Sequence, residues 1–229
     1  MYNVIETPIF GILLTVIFFN IGVFVQKKTK KPIFNPLLIA IAGIILFLSI
    51  TKIPYEKYKL GADSINFLLG PVTVSLAIPL YRQFDLLKRY LLEIVVGILC
   101  GVIVSLASVL IIGGLTHANI EVLNSLIPKS ITTPMGLALT KTLNGIDSIT
   151  VVSIILTGIL GAIISPLVFK IGKIDNSIAR GIALGTSSHA LGTTKAMEMG
   201  EVEGAMSSLS IGIAGIITVV IVPIILSII

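Results

Sequence analysis

From Leu91 to Leu115 the chain carries a single charged side chain, Glu93, and apolar runs of the same kind recur at 7–25, 36–51, 64–81, 149–169 and 204–229. A run of about 20 apolar residues matches the ~30 Å hydrocarbon core of a bilayer. It has no comparable place in a soluble domain, whose surface must meet water. Only 12% of the 229 residues are charged, 55% are hydrophobic, and the mean hydropathy is +1.09. The expected fold is an all-α polytopic membrane protein. It forms one membrane domain over 1–229, with no room for a separate soluble catalytic domain.

The charges speak to orientation. The run 7–25 has no basic region before it and no small-residue cleavage site after it, so a cleaved signal peptide is not expected. It is followed by Lys27, Lys28, Lys30 and Lys31, which favour the cytoplasmic side and leave the N-terminus outside. The third run, 64–81, is interrupted by Gly70-Pro71 and Pro79 and exits into Arg82, Lys88 and Arg89, again a cytoplasmic signature. The net charge of +5 therefore resides in short loops, not in a basic stripe interleaved with aromatics, and nucleic acid is not an expected partner. Cys100 lies in an apolar run, where packing is its expected role.

In the second half, 125–145 holds Pro128, Lys129, Pro134 and Lys141 and reads as a broken, re-entrant segment. If the loop with Lys170, Lys173 and Arg180 is cytoplasmic, this segment enters and leaves on the outer side. That gives about seven transmembrane helices plus one re-entrant segment, with the C-terminus cytoplasmic. The alternative is eight spans, with that loop outside. Leu69-Gly70 and Leu184-Gly185, each followed by small hydroxyl residues, form a weak internal echo. They suggest two repeats, about 7–116 and 123–229, of inverted orientation with discontinuous helices.

A polar group in hydrocarbon is costly unless satisfied, so intramembrane polar clusters mark candidate sites. The richest is Thr186, Ser187, Ser188, His189, Thr193, Thr194 and Lys195, among Gly181, Gly185 and Gly192. Those glycines permit unwinding, and a half-helix starting near Thr186 or Thr193 would offer N–H groups to an anion. Helix packing through small residues explains the glycines and some hydroxyls, but not His189 and Lys195 together. A second cluster, Lys129, Ser130, Thr132 and Thr133, lies between Pro128 and Pro134. It reads either as a site or as an interfacial turn with a snorkelling lysine. Thr73, beside Gly70-Pro71, is expected to shape a cavity. Asn144 and Asp147 read as solvated, with ion coupling as the alternative. Glu93 reads as interfacial, and Glu198, Glu201 and Glu203 as an exposed turn.

Enzyme classes fall away. There is no phosphate-binding loop and no His-Glu-x-x-His, and two histidines with one cysteine do not build a metal site. Ser188 and His189 are adjacent, so on a helix they point about 100° apart, poorly placed for general-base activation. No catalytic residue, metal or cofactor is expected.

The stretches LGPVTVSLAIPLY (69–81), SLIPKSITTP (125–134) and GIALGTSSHALGTTKA (181–196), with Glu203-Gly204-Ala205, resemble the LrgB/CidB family of bacterial membrane proteins. The resemblance runs in order along essentially the whole chain. Leu143-Asn144-Gly145 departs from it where a Gly-Gly pair is expected. It implies a bacterial cytoplasmic-membrane protein that is holin- or antiholin-like, modulates murein hydrolases, and acts with a smaller LrgA/CidA-type partner. Relatives are also associated with transport of pyruvate and, in plastids, of glycolate and glycerate, and the family is grouped with crossed, broken-helix transporters.

Two functions are therefore expected. One is a carrier, or carrier subunit, for a small monocarboxylate. It would use Thr186–His189, Thr193, Thr194, Lys129, Ser130, Thr132, Thr133 and Thr73, with H+ on His189 or Na+ as coupling ion. The other is an antiholin-like regulator or pore component. A homo-oligomer is compatible with either.

Overall fold

The computed structural model describes residues 4–29, 34–68, 71, 74–75 and 77–226. The described residues are almost entirely helical and divide into two compact units, 1–75 and 76–229.

In the first unit, α1 (Pro8–Thr29) packs against α2 (Pro36–Thr51) and α3 (Tyr55–Asn66). α2 starts where Asn35 accepts a bond from the Leu37 N–H at 2.9 Å and Pro36 presets the first turn. α1 and α3 cross at backbone contact. A β-carbon placed on Gly61 would lie 2.6 Å from Gly11 Cα, so only hydrogen fits there. The Thr15 and Tyr58 hydroxyls bond across the same interface at 3.0 Å. α3 is polar, with Glu56, Lys57, Lys59 and Asp63, and it ends at Asn66. Within the third apolar run, residues 71, 74, 75 and 77–81 are also helical. Gly70 and Thr73 lie outside the described residues.

The second unit opens with two short helices, α4 (Ala77–Arg82) and α5 (Phe84–Arg89), and then the long α6 (Leu91–Thr116). On α6, Ile94, Ile98, Val102, Leu106, Val109 and Gly113 form one buried stripe at three- and four-residue spacing. Leu92, Val96, Ile103, Val104, Ile111 and Ile112 are exposed on the rest of its surface, as a lipid-facing helix requires.

Residues 125–145 form a hairpin, as the prolines predict. α7 (Ile120–Leu126) runs into a 3₁₀ turn (Ile127–Ser130), Ile131 and Thr132 are extended, and α8 (Thr133–Thr142) runs back with Pro134 in its first turn. The two ends are tied together. Ile146 N–H donates to Ser125 Oγ at 2.7 Å, Thr150 Oγ1 to the Ser125 carbonyl at 3.0 Å, and Asn124 Nδ2 to the Leu143 carbonyl at 2.6 Å. In a straight helix Ser125 and Ile146 would stand about 30 Å apart. The two ends of the segment thus lie together at one end of α9.

α9 (Asp147–Ile171) then runs 25 residues, about 38 Å, to the opposite side. There a second hairpin begins, where the sequence predicts an interrupted span that crosses. α10 (Ser177–Met199) breaks at His189, whose φ of 42° and ψ of −134° are not helical. The arm 190–199 folds back on 177–188. A β-carbon on Gly192 would lie 3.1 Å from the Leu184 carbonyl carbon, although eight residues of straight helix separate by about 12 Å. α11 (Glu201–Leu226) runs beside both arms. Gly181 faces Glu203 and Met206, and Gly185 faces Ser207 and Ser210, a parallel register. Thr193 faces Ser207 and Met197 faces Gly204, an antiparallel one.

Both ends of α10 lie on one side, so α11 starts where α9 ends and finishes on the other side. The C-terminal end of α11 therefore lies opposite the loop bearing Lys170, Lys173 and Arg180, not beside it. Four described helices, α1, α6, α9 and α11, are long and apolar enough to span a membrane, and α2 is a shorter apolar helix. Gly181, Gly185 and Gly192 admit neighbouring backbone, and the break falls between Gly185 and Gly192, at His189.

Candidate functional site

The two hairpins enter the second unit from opposite ends of α9. The turn of the first lies beside Ser105, about 21 Å from the start of the 26-residue α6. The turn of the second lies beside Ile154 and Gly158, near the middle of α9. Both turns therefore reach mid-depth, and both return arms, α8 and 190–199, begin there with their positive helix ends.

Between the turns, α6 and α9 lies a cavity of about 960 Å³. Lys129 and Ser130 of the first hairpin line it, as do Thr186, Ser187 and Ser188 of the second, Ser105 and Ser108 of α6, and Thr157 and Gly161 of α9. Tyr90, Glu93, Phe169 and Asn176 line it toward the side where α6 starts and α9 ends. That is also the side of Arg82, which pairs with Glu201 at 3.8 Å.

Lys129 is half-buried and is held by oxygen atoms alone. Its Nζ donates to Ser105 Oγ at 2.9 Å, to the Ser105 carbonyl at 3.3 Å and to Ser108 Oγ at 3.4 Å. Ser105 Oγ and Ser130 Oγ are 2.9 Å apart. Among the described residues no carboxylate lies within ion-pair distance of Lys129. Glu93 lines the same cavity but stands twelve residues earlier on α6 than Ser105, about 18 Å away along the axis. The deep end of the cavity thus carries net positive charge.

Across from it, Ser187 Oγ and Ser188 Oγ are 2.9 Å apart. Gly161 admits Ser188, because a β-carbon there would collide with Ser188 Oγ. Thr186 is buried, and its Oγ1 is the single buried polar side-chain atom among the described residues without a hydrogen-bond partner. It lines both the main cavity and a water-sized void of about 10 Å³ that Ser105, Ser130 and Thr218 share. Such an atom is normally paired, and it is available to a ligand.

His189 serves the break. Its Nε2–H donates to the Ile154 carbonyl at 2.8 Å, its ring packs on Gly158, and it does not line the cavity. Thr193 is buried between the His189 carbonyl (3.0 Å) and Ser207 Oγ (2.7 Å), a link between arm and α11. Thr194 is exposed and bonds back to the Ala190 carbonyl at 3.2 Å. Lys195 pairs with Glu198 at 2.9 Å. Thr132 caps α8 and Thr133 begins it, and neither lines the cavity. Asn144 and Asp147 form the turn into α9, outside the cavity, and Glu203 is buried rather than exposed. Cys100 is exposed on α6 instead of packed.

The structure thus brings Lys129, Ser130, Thr186, Ser187 and Ser188 to one cavity. Sequence reasoning missed Ser105 and Ser108. Their signal was two hydroxyls one turn apart, on one face of an otherwise apolar run.

Comparison with known proteins agrees with this architecture in class. The LrgB-like family model matches residues 15–228. "Antiholin-like protein LrgB" of Bacillus subtilis (strain 168) is 39% identical over 219 residues, covering 95% of each chain. "Uncharacterized protein YwbG" of the same organism is 37% identical over 219 residues, 96% of this chain and 97% of that one. "Antiholin-like protein LrgB" of Bacillus mycoides (strain KBAB4) is 37% identical, covering 95% of each. No solved structure matches. The family is not an enzyme family, and two of these three relatives are named antiholin-like proteins. With four long apolar helices and this match along nearly its whole length, the chain is a multi-pass membrane protein that belongs to the LrgB-like family.

Proposed function

We propose that this protein is a carrier, or the carrying subunit of a membrane pair, for a small monocarboxylate of the pyruvate or glycolate type. The observation that supports it best is Lys129. It is an ammonium at mid-depth without a carboxylate partner, in an open cavity whose other wall offers Ser187, Ser188 and the unpartnered Thr186 hydroxyl. A carboxylate placed there meets the positive charge of the ammonium and the hydroxyls around it, an opposite-charge pairing reinforced by hydrogen bonds. A cavity of about 960 Å³ is far larger than such an anion, so it acts as a vestibule leading to a small polar end. Hairpins inserted from opposite sides, with helix ends at the midplane, are the arrangement that broken-helix carriers use around a binding site. We read 91–142 and 147–199, each a long helix followed by a hairpin and running in opposite directions, as the inverted pair. This replaces the division expected at 7–116 and 123–229.

We read the basic loops as cytoplasmic, so that the vestibule mouth opens to the cytoplasm of a bacterial inner membrane and α11 ends on the outer side. Labelled pyruvate or glycolate uptake into proteoliposomes, with this protein alone and with a small LrgA/CidA-type partner, tests the reading. Saturable uptake in either case supports it, and none in both cases, from folded protein, contradicts it.

The names of the relatives favour a second reading, an antiholin-like component acting with such a partner on murein hydrolases and lysis. Release of large trapped dyes from the same vesicles would support a pore, whereas selective flux of small anions would support the carrier.

A further inference from the structure

Resting on the carrier reading, we propose that the Lys129 ammonium is the site's own resident cation, standing where a broken-helix carrier would otherwise hold a metal ion, so that the anion binds without sodium. Carriers of this build coordinate a coupling sodium with freed backbone carbonyls and the C-terminal ends of half-helices. Lys129 sits at such an end, the 3₁₀ turn where the first hairpin arm stops. Its three donors meet one carbonyl oxygen and two hydroxyls, Ser105 O, Ser105 Oγ and Ser108 Oγ, the oxygen set a small hard cation would take. An adjoining void of about 10 Å³ is of ionic size, and its wall includes Ser105, whose hydroxyl already holds the ammonium, and Ser130, bonded to that hydroxyl. An ion there would share Ser105 with the ammonium, and the two like charges would repel across that shared ligand. The tether keeps the charge in place through every cycle, where a bound ion would enter and leave.

The test uses full-length protein in detergent with pyruvate and glycolate as probes, read as affinity by titration calorimetry in sodium chloride and in choline chloride. The wild type is expected to bind equally in both salts, within about twofold. Lys129→Ala is expected to lose about tenfold or more in choline, the scale of one desolvated charge-assisted contact. It should regain part of that loss on adding sodium or methylammonium, which fit the vacated oxygen set. Wild-type binding that needs sodium overturns the inference and leaves the carrier reading intact. A variant that binds as tightly as wild type, or whose loss neither cation restores, also overturns it. If Lys129→Ala does not fold, Lys129→Gln leaves a shorter, uncharged donor in the same place. Undiminished binding by that variant overturns the inference equally. Absence of binding by wild type in both salts defeats the carrier reading itself.

Discussion

His189 Nε2–H reaches across to the Ile154 carbonyl at 2.8 Å and pins the one non-helical residue of α10 against the middle of α9. A side-chain residue at φ 42° is strained by about 1–3 kcal/mol, and this bond and the packing on Gly158 hold it there. His189→Gly relieves the backbone and loses the bond, whereas His189→Ala loses the bond and keeps the strain. Thermal unfolding in detergent should therefore rank wild type above His189→Gly and His189→Gly above His189→Ala. The two variants should differ by about 1 kcal/mol. The reverse order would show that the break is not held as described.

The hairpins also depend on glycines that face them. A β-carbon on Gly158 would lie 2.6 Å from His189 Cε1, and one on Gly161 would meet the Ser188 hydroxyl. Gly161→Ala is expected to cost about 1–3 kcal/mol by overpacking and to displace Ser188 from the cavity wall. Gly114→Ala and Gly212→Ala, with nothing within 4 Å of the added carbon, should be neutral by the same melting measurement. Equal effects at all three positions would contradict the packing.

Re-entry of 125–145 is directly testable by cross-linking. Gly145's β-carbon position is 3.0 Å from Ser125 Oγ, so paired cysteines there fall within reach of a disulfide. In a Cys100→Ser background, Ser125→Cys with Gly145→Cys should cross-link on mild oxidation. If the segment crossed the membrane, the two positions would be about 30 Å apart and would not.

How much of this was legible in the sequence follows from where its physical signals are strong. Pro128 and Pro134 cannot continue a helix, so the first hairpin was readable. The second was not, because His189 has no intrinsic reason to break a helix. Its bend comes from partners on α9, which periodicity does not reveal. α3 escaped notice because Glu56, Lys57 and Asp63 look like loop, although as a helix they leave Gly61 free to meet Gly11. Ser105 and Ser108 were hidden by the apolar run around them, and only the placement of Lys129 shows what they do.

The placement of the two ends of α11 can be tested by labelling. A cysteine at Asp175, beside the basic loop, and one at Leu226 should react with a membrane-impermeant maleimide from opposite faces of right-side-out vesicles. Labelling of both from one face would restore a crossing by 178–197 and remove the second hairpin.

The central claim is that the turns of two opposed hairpins enclose an anion site around Lys129. Uptake of labelled pyruvate by proteoliposomes, compared between wild type and Lys129→Gln in sodium-free medium, addresses it most directly. The account predicts saturable uptake by wild type and a loss of about tenfold or more in the variant, with unchanged folding. Equal uptake by the two proteins would contradict it.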